Sequence, residues 1–263
     1  MAAGLKVMAF QTLSINAVVV LEFNPYVSLG IFADAVVSLP PPEEGKSPFY
    51  ILCVELGIAA TLDFHGGTFR VETSLSPNSF ILNPLCHLSG GFALCYWFAG
   101  SPYDGDWVFT VGGYHSAFKP PDHYPTPDRV RIYWGLGGGL SITGQAYLAV
   151  RPKVCMVGGL LSAVLDAGPL GASFSAHADL LINYQPFHFN GTVGVEIGVS
   201  FTLDLFICTL YIRVDISAEL TMHGPPFCGD VWVDFWVFGF SIHFSDDEQD
   251  APILDLPGFQ TLL

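Results

Sequence analysis

Residues 187–203 read FHFNGTVGVEIGVSFTL, and they decide the fold. Phe187, Phe189, Val193, Val195, Ile197, Val199, Phe201 and Leu203 fall on one side of an extended chain, and His188, Asn190, Thr192, Glu196, Ser200 and Thr202 on the other. A helix would need a period of about 3.6, so a period of two held this long marks a strand with one apolar face. The flanking stretches repeat it. In 208–222, Leu210, Ile212, Val214, Ile216, Leu220 and Met222 oppose Thr209, Tyr211, Arg213, Asp215, Ser217, Glu219 and Thr221. In 170–184, Phe174, Ala176, Ala178, Leu180, Ile182 and Tyr184 oppose Ser173, Ser175, His177, Asp179 and Asn183.

Working outward, 140–150 and 154–165 pair across Arg151-Pro152-Lys153. Residues 13–23 and 26–38 join at Asn24-Pro25, and 50–64 turns at His65-Gly66-Gly67 into 69–75. Strands are expected near 90–99 and 106–114, around the loop SPYDGD. Residues 231–244 are apolar on both sides and read as one strand held inside the assembly or under a flap. The result is an all-β chain of roughly a dozen strands whose short connections favour antiparallel neighbours. At about 3.3 Å per residue the longest would span roughly 50 Å if straight. They are therefore expected to bend, with Gly112-Gly113, Gly137-Gly138-Gly139 and Gly158-Gly159 permitting it. The expected architecture is a curled sheet, barrel-like or half-closed, with an apolar interior; a two-sheet sandwich is the alternative. Residues 1–245 form a single domain. Residues 246–263 are an acidic then apolar tail, either frayed or docked back through Ile253, Leu254, Leu256 and Phe259. LPPPEEGKSP at 39–48 cannot enter a sheet interior.

Composition narrows the function. Of 263 residues, 51% are hydrophobic and 13% charged, and the net charge of −15 argues against a nucleic-acid partner, which needs clustered Lys and Arg. Cys53, Cys86, Cys95, Cys155, Cys208 and Cys228 form no C-x-x-C, and no metal-ligand spacing appears. The N-terminal stretch lacks a signal-peptide layout, and no run reaches the roughly 18 apolar residues of a spanning helix. The expected compartment is the reducing cytosol, without integral membrane insertion. A porin-like barrel would invert the pattern, with a polar lumen, and irregular strand lengths weigh against it.

One segment breaks the alternation. GGYHSAFKPPDHYPTPDRVRIYW, 112–134, holds four prolines, two histidines, three tyrosines and three of nine basic residues. Candidate catalytic residues are His115, His123, Tyr124 and Arg129, with Lys119 and Arg131 as ligand-binding partners. They would form a cationic, hydrogen-bonding rim that grips a carboxylate or carbonyl of an apolar ligand; a stiff loop whose His and Arg hold backbone carbonyls is the plainer alternative. Trp134, Tyr147, Trp232 and Trp236 are candidates to line a cavity, although an aromatic row is more often core. His177 joins the ligand-binding set: it stands two residues from Asp179, as a base and its orienter would, or as solvent-face polarity. No nucleophile elbow, P-loop or dinucleotide motif is present, and no cofactor or metal is called for.

The runs FILNPLCHLSGGFALCYWFAG, DWVFTVGGYHSAFKPPDHYPTPDRVRIYW, LSITGQAYLAVRPKVCMVGG, FSAHADLLINYQPFHFNGTVGVEIGVSFTLDLF and GPPFCGDVWVDFWVFGFSIHF, in that order, resemble the uncharacterised domain family 6603, seen in fungi and bacteria. The resemblance covers roughly residues 50–245. It implies no activity and no catalytic residues. Members are often longer, with this region near the C-terminal end, so the chain is expected to be a stand-alone or shortened version. Ser116 stands where the family has a small residue or Pro, and Arg131 where it has Gly. The fungal members suggest secondary metabolism, by analogy alone.

Three functions fit. The first is a cofactor-free cyclase or pericyclase, which folds a terpenoid or polyketide in an apolar cavity and needs little acid–base machinery, since holding a reactive shape can supply roughly 7–11 kcal/mol. The second is a carrier for a lipid-like small molecule. The third is a structural or assembly module. Self-association into a homo-oligomer is compatible with each.

Overall fold

The computed structural model describes residues 1–41, 50–204 and 207–246. Seventeen β-strands form one hydrogen-bonded antiparallel sheet, with no helix among the described residues. The strands are β1 Ala2–Ala9, β2 Leu13–Glu22, β3 Ser28–Leu39, β4 Leu52–Asp63, β5 Thr68–Leu75, β6 Phe80–Ile81, β7 Cys86–Ser89, β8 Phe92–Trp97 and β9 Trp107–Val111. After the Pro-rich loop come β10 Val130–Gly137, β11 Leu140–Arg151, β12 Val154–Ala167, β13 Leu170–Tyr184, β14 Phe187–Asp204, β15 Thr209–Gly224, β16 Cys228–Phe235 and β17 Phe238–Ser245.

Two long strands organise the sheet. β4 has one edge fully paired with β3, while its other edge is shared by β5 along 56–63 and β6 at 52–53. β11 pairs along its length with β12, and its other edge is shared by β10 and β9. Between them run two short paths, β5–β8–β9 and β6–β7–β10, which close a circuit of eight strands. It is not a regular barrel, because six of its strands are two short three-strand paths strung between β4 and β11. From β4 the meander β3–β2–β1 extends one way; from β11 the meander β12 to β17 extends the other.

The gaps between the two paths need special residues. At Glu55, which neither β5 nor β6 reaches, the fully buried Ser79 hydroxyl accepts from the Glu55 N–H at 3.0 Å and donates to its carbonyl at 3.1 Å, and the Ser76 N–H donates to the same carbonyl. This satisfies a backbone pair that would otherwise be orphaned. On the β11 side, Gly112 sits at φ +68 and donates to the Gly91 carbonyl; a Cβ there would lie 2.5 Å from the Ala146 oxygen, so only glycine fits.

Facing residues in an antiparallel ladder share a face, so register carries each face across the sheet. One row runs Val18, Phe32, Ala59, Glu72, Ala93, Thr110, Ala149, Met156, Leu181, Asn190, His223, Cys228 and Ser245, from β2 to β17. His177, Asp179, Glu196 and Asp215 lie on this polar face. The tight core lies there too: residues 112–129 fold over it, and Tyr114 and Tyr124 cover Cys95, Trp97, Val108, Tyr147, Ala149, Val154 and Met156. Val108, Ala149 and Met156 are wholly buried.

Several expectations are corrected. Residues 231–244 are not one buried strand but the hairpin β16–β17, turning at Trp236-Val237, which are 67% and 78% exposed at the sheet's end. The dozen strands become seventeen, because β1, the pieces β6 and β7, and β10 were not recognised as strands and this hairpin was not divided. Gly137, Gly138 and Gly139 all take positive φ in the β10–β11 turn, while Gly158-Gly159 lie in unbroken register within β12. The tail from 247 onward and most of LPPPEEGKSP lie outside the described residues.

Candidate functional site

Asp106, at the end of the SPYDGD turn, anchors the Pro-rich loop. Both its oxygens accept from the Tyr124 hydroxyl at 2.9 Å, and Oδ2 lies 3.2 Å from His123 Nε2. His123 stacks on Tyr103 at 3.7 Å, and Tyr124 stacks on Trp97 at 5.5 Å with the Arg151 guanidinium 5.3 Å from its ring. Tyr114 donates to the Pro125 carbonyl, and Arg129 donates to the Tyr114 carbonyl. Two of the four candidate catalytic residues, His123 and Tyr124, are thus engaged in holding the loop down.

Arg129 has a second partner. Its guanidinium lies 4.1 Å over the Tyr147 ring, whose hydroxyl donates to Asp179. Burial pushes the phenols of Tyr114, Tyr124 and Tyr147 well above their ordinary range, and the hydrogen bonds to Asp106 and Asp179 add to the effect in the last two. All three stay protonated and act as donors, not bases. Ser116, Arg129, Gln145, Tyr147, His177 and Asp179 surround a groove of about 230 Å³. Three expected residues therefore meet: Arg129, Tyr147 and His177. His115 flanks them, with its ring 6.2 Å from Tyr147 and its Nδ1 accepting from the Ala117 N–H, so a neutral ring carries its proton on Nε2. Asp179 spends its oxygen on Tyr147 rather than on His177. The His177 ring lies across Gly194, where a Cβ would collide with it.

His177 also lines a second groove, of about 490 Å³, with Trp232, Trp236, Glu196, Asp215, Glu219 and Asp234. Trp232 and Trp236 thus join His177 there, some distance along the sheet from the loop. Lys119 and Arg131 are exposed. Trp134 is half-buried on the opposite face, since it faces Ile142 and Cys86 while Arg131 faces Gln145 and Ser89. A third groove, about 720 Å³, lies on the polar face of β2 to β5 beside the end of the loop. Asn16, Asp34, Arg70, Glu72 and Asp128 line it, and none of them is a site candidate in the sequence; nor is Asp106, whose only signal there is its place in a turn.

The other face is apolar. From β12 to β17 its positions carry no charged residue. Its side chains are half-buried over β3, β4 and most of β13, then open outward. On β14 and β15, ten of them, among them Val193, Ile197, Val199, Phe201, Ile212 and Ile216, are 36% to 47% exposed. The chain's total accessible surface is 17116 Å², against about 11,000 Å² for a compact chain of this mass.

These features define an all-β protein built on one antiparallel sheet, with a loop-covered polar face and an apolar face that the described residues leave partly exposed over β14 and β15. The chain belongs to the family of unknown function DUF6603, whose model matches residues 1–263, so the likeness extends beyond 50–245 to the whole chain. Comparison with curated proteins and with solved structures finds no match for it. No helix among the described residues is long and apolar enough to cross a membrane.

Proposed function

We propose that the protein binds a hydrophobic, lipid-like small molecule on the apolar face of its long strands. The observation that supports this is the run of half-exposed aliphatic and aromatic side chains on β14 and β15, in a face free of charge. The largest apolar patch on an ordinary monomer is about 300–600 Å². At about 150–200 Å² for a fully exposed large side chain, these ten alone present roughly 600–800 Å². A ligand covering about 300 Å² of it gains about 7 kcal/mol from the protein's side. The six cysteines are free thiols, which suits a reducing cytosol.

Shaping a terpenoid or polyketide for cyclisation is the narrower form of this reading. The apolar face needs no acid or base for it, and the test is rate acceleration of a candidate precursor. The binding itself is tested by titrating anilinonaphthalene sulfonate and a fluorescent fatty acid, with native mass spectrometry for a co-purified ligand. Ile212→Lys should weaken binding by at least about tenfold, in line with a charge buried against an apolar ligand. Arg129→Ala, on the other face, should leave it unchanged. Equal affinity for the wild type and Ile212→Lys removes the apolar face from the function.

A further inference from the structure

We infer that a second copy of this chain covers the apolar face, so that two sheets stack face to face over the surface to which the preceding reading assigns the ligand. A sheet with one apolar face must bury it against another layer, and here the described residues of the chain supply none over β14 to β17. Adding β12, the start of β13 and β17, where Val157, Leu161, Leu170, Phe240 and Ile242 are 41% to 52% exposed, brings the uncovered apolar area to about 1,000 Å². A stable interface needs about 800 Å² per partner, and face-to-face pairing of two such patches reaches roughly the 2,000 Å² of obligate homodimers.

The identity of the partner follows from charge. The chain carries −15, yet none of it lies on this face from β12 to β17; Glu196, Asp215, Glu219, Asp230 and Asp234 all point from the opposite side. Two copies can therefore approach face to face with their acids directed outward. The patch offers no charged group by which to choose a different protein, and a two-fold axis requires only that a patch suit itself. Stacked sheets of this kind align within about 30° at about 10 Å separation.

The proposal shares the apolar face with the preceding reading but needs no ligand, so the two fail separately. Light scattering coupled to size exclusion, on the full chain at micromolar concentration without detergent, should give twice the chain mass. Val199→Glu should give the single-chain mass with β-rich circular dichroism retained, and Thr202→Glu, three residues along the same strand on the polar side, should leave the pair intact. A wild-type monomer, a pair that survives Val199→Glu, or large open-ended particles would each overturn the inference, and the wild-type mass decides even if Val199→Glu does not fold. A pair that binds no apolar probe removes the ligand reading alone; a monomer that binds one removes the pairing alone.

Discussion

Replacing Asp106 with alanine removes the carboxylate that receives the Tyr124 hydroxyl and faces His123. Tyr124 is only 4% exposed, so its hydroxyl would be stranded without an acceptor, at a cost of about 1–3 kcal/mol. The His123 contact is partly solvated, with both side chains 16% to 24% exposed, and contributes no more than about 1 kcal/mol. Asp106→Ala should therefore destabilise the protein by about 1–4 kcal/mol. Asp106→Asn keeps one acceptor oxygen and should cost about 1 kcal/mol, as should Tyr124→Phe. The double variant Asp106→Ala/Tyr124→Phe should recover part of the loss, because the stranded hydroxyl is gone. Urea unfolding followed by tryptophan emission is the assay, since Trp97 stacks directly on Tyr124. An Asp106→Ala variant no less stable than Asp106→Asn, or strict additivity in the double variant, would refute the account of how the loop is held.

Three further outcomes follow from the same packing. Met156→Ala, at a wholly buried position beneath the loop, should cost about 2–5 kcal/mol by urea midpoint. Gly158→Val places a Cβ against the Tyr147 ring and Asp179, and should cost about 1–3 kcal/mol while raising hydrogen exchange in 112–129 as Tyr147 leaves Arg129. Burial holds the Cys95 thiol up at about 11 from an ordinary 9.0, with Glu72 adding to the effect and Arg70 opposing it. The folded chain then keeps a proton that the unfolded chain releases, so this contribution is complete below pH 9 and is lost as pH rises to about 11. The loss is about 3 kcal/mol at most, and Cys95→Ala should flatten the stability profile in that window.

The long strands were legible because their alternation leaves no other reading: 170–184 matches β13 residue for residue, and 187–203 matches β14 to within one position. The β16–β17 hairpin was not, because Phe235-Trp236-Val237-Phe238 contains none of the residues that usually mark a turn. β1 hid for the same reason: it turns at Phe10-Gln11, two non-glycine residues at φ 53 and 57. Alternation tells which residues share a face, not which face is covered. The core was accordingly sought on the apolar side, whereas the loop builds it on the polar one around Trp97, Tyr124 and Met156. At the candidate site, the pairing of Arg129 with Tyr147 and of Tyr147 with Asp179 depends on registers across β11, β12 and β13 that no local pattern reveals. Trp134 is different: it stands three residues from Arg131 on one strand, and parity alone sets the two on opposite sides.

The eight-strand circuit ties down β4 and β11 from the inside, but each offers its outer edge to a simple zigzag of strands. Such zigzags can lengthen or shorten without reopening the knot at the centre, provided strands are gained or lost in pairs. Losing a single one would reverse the direction of everything beyond it. Size differences among members of this family should therefore collect in the outer zigzags as whole hairpins, while Ser79, Gly112 and Asp106 stay fixed to the middle.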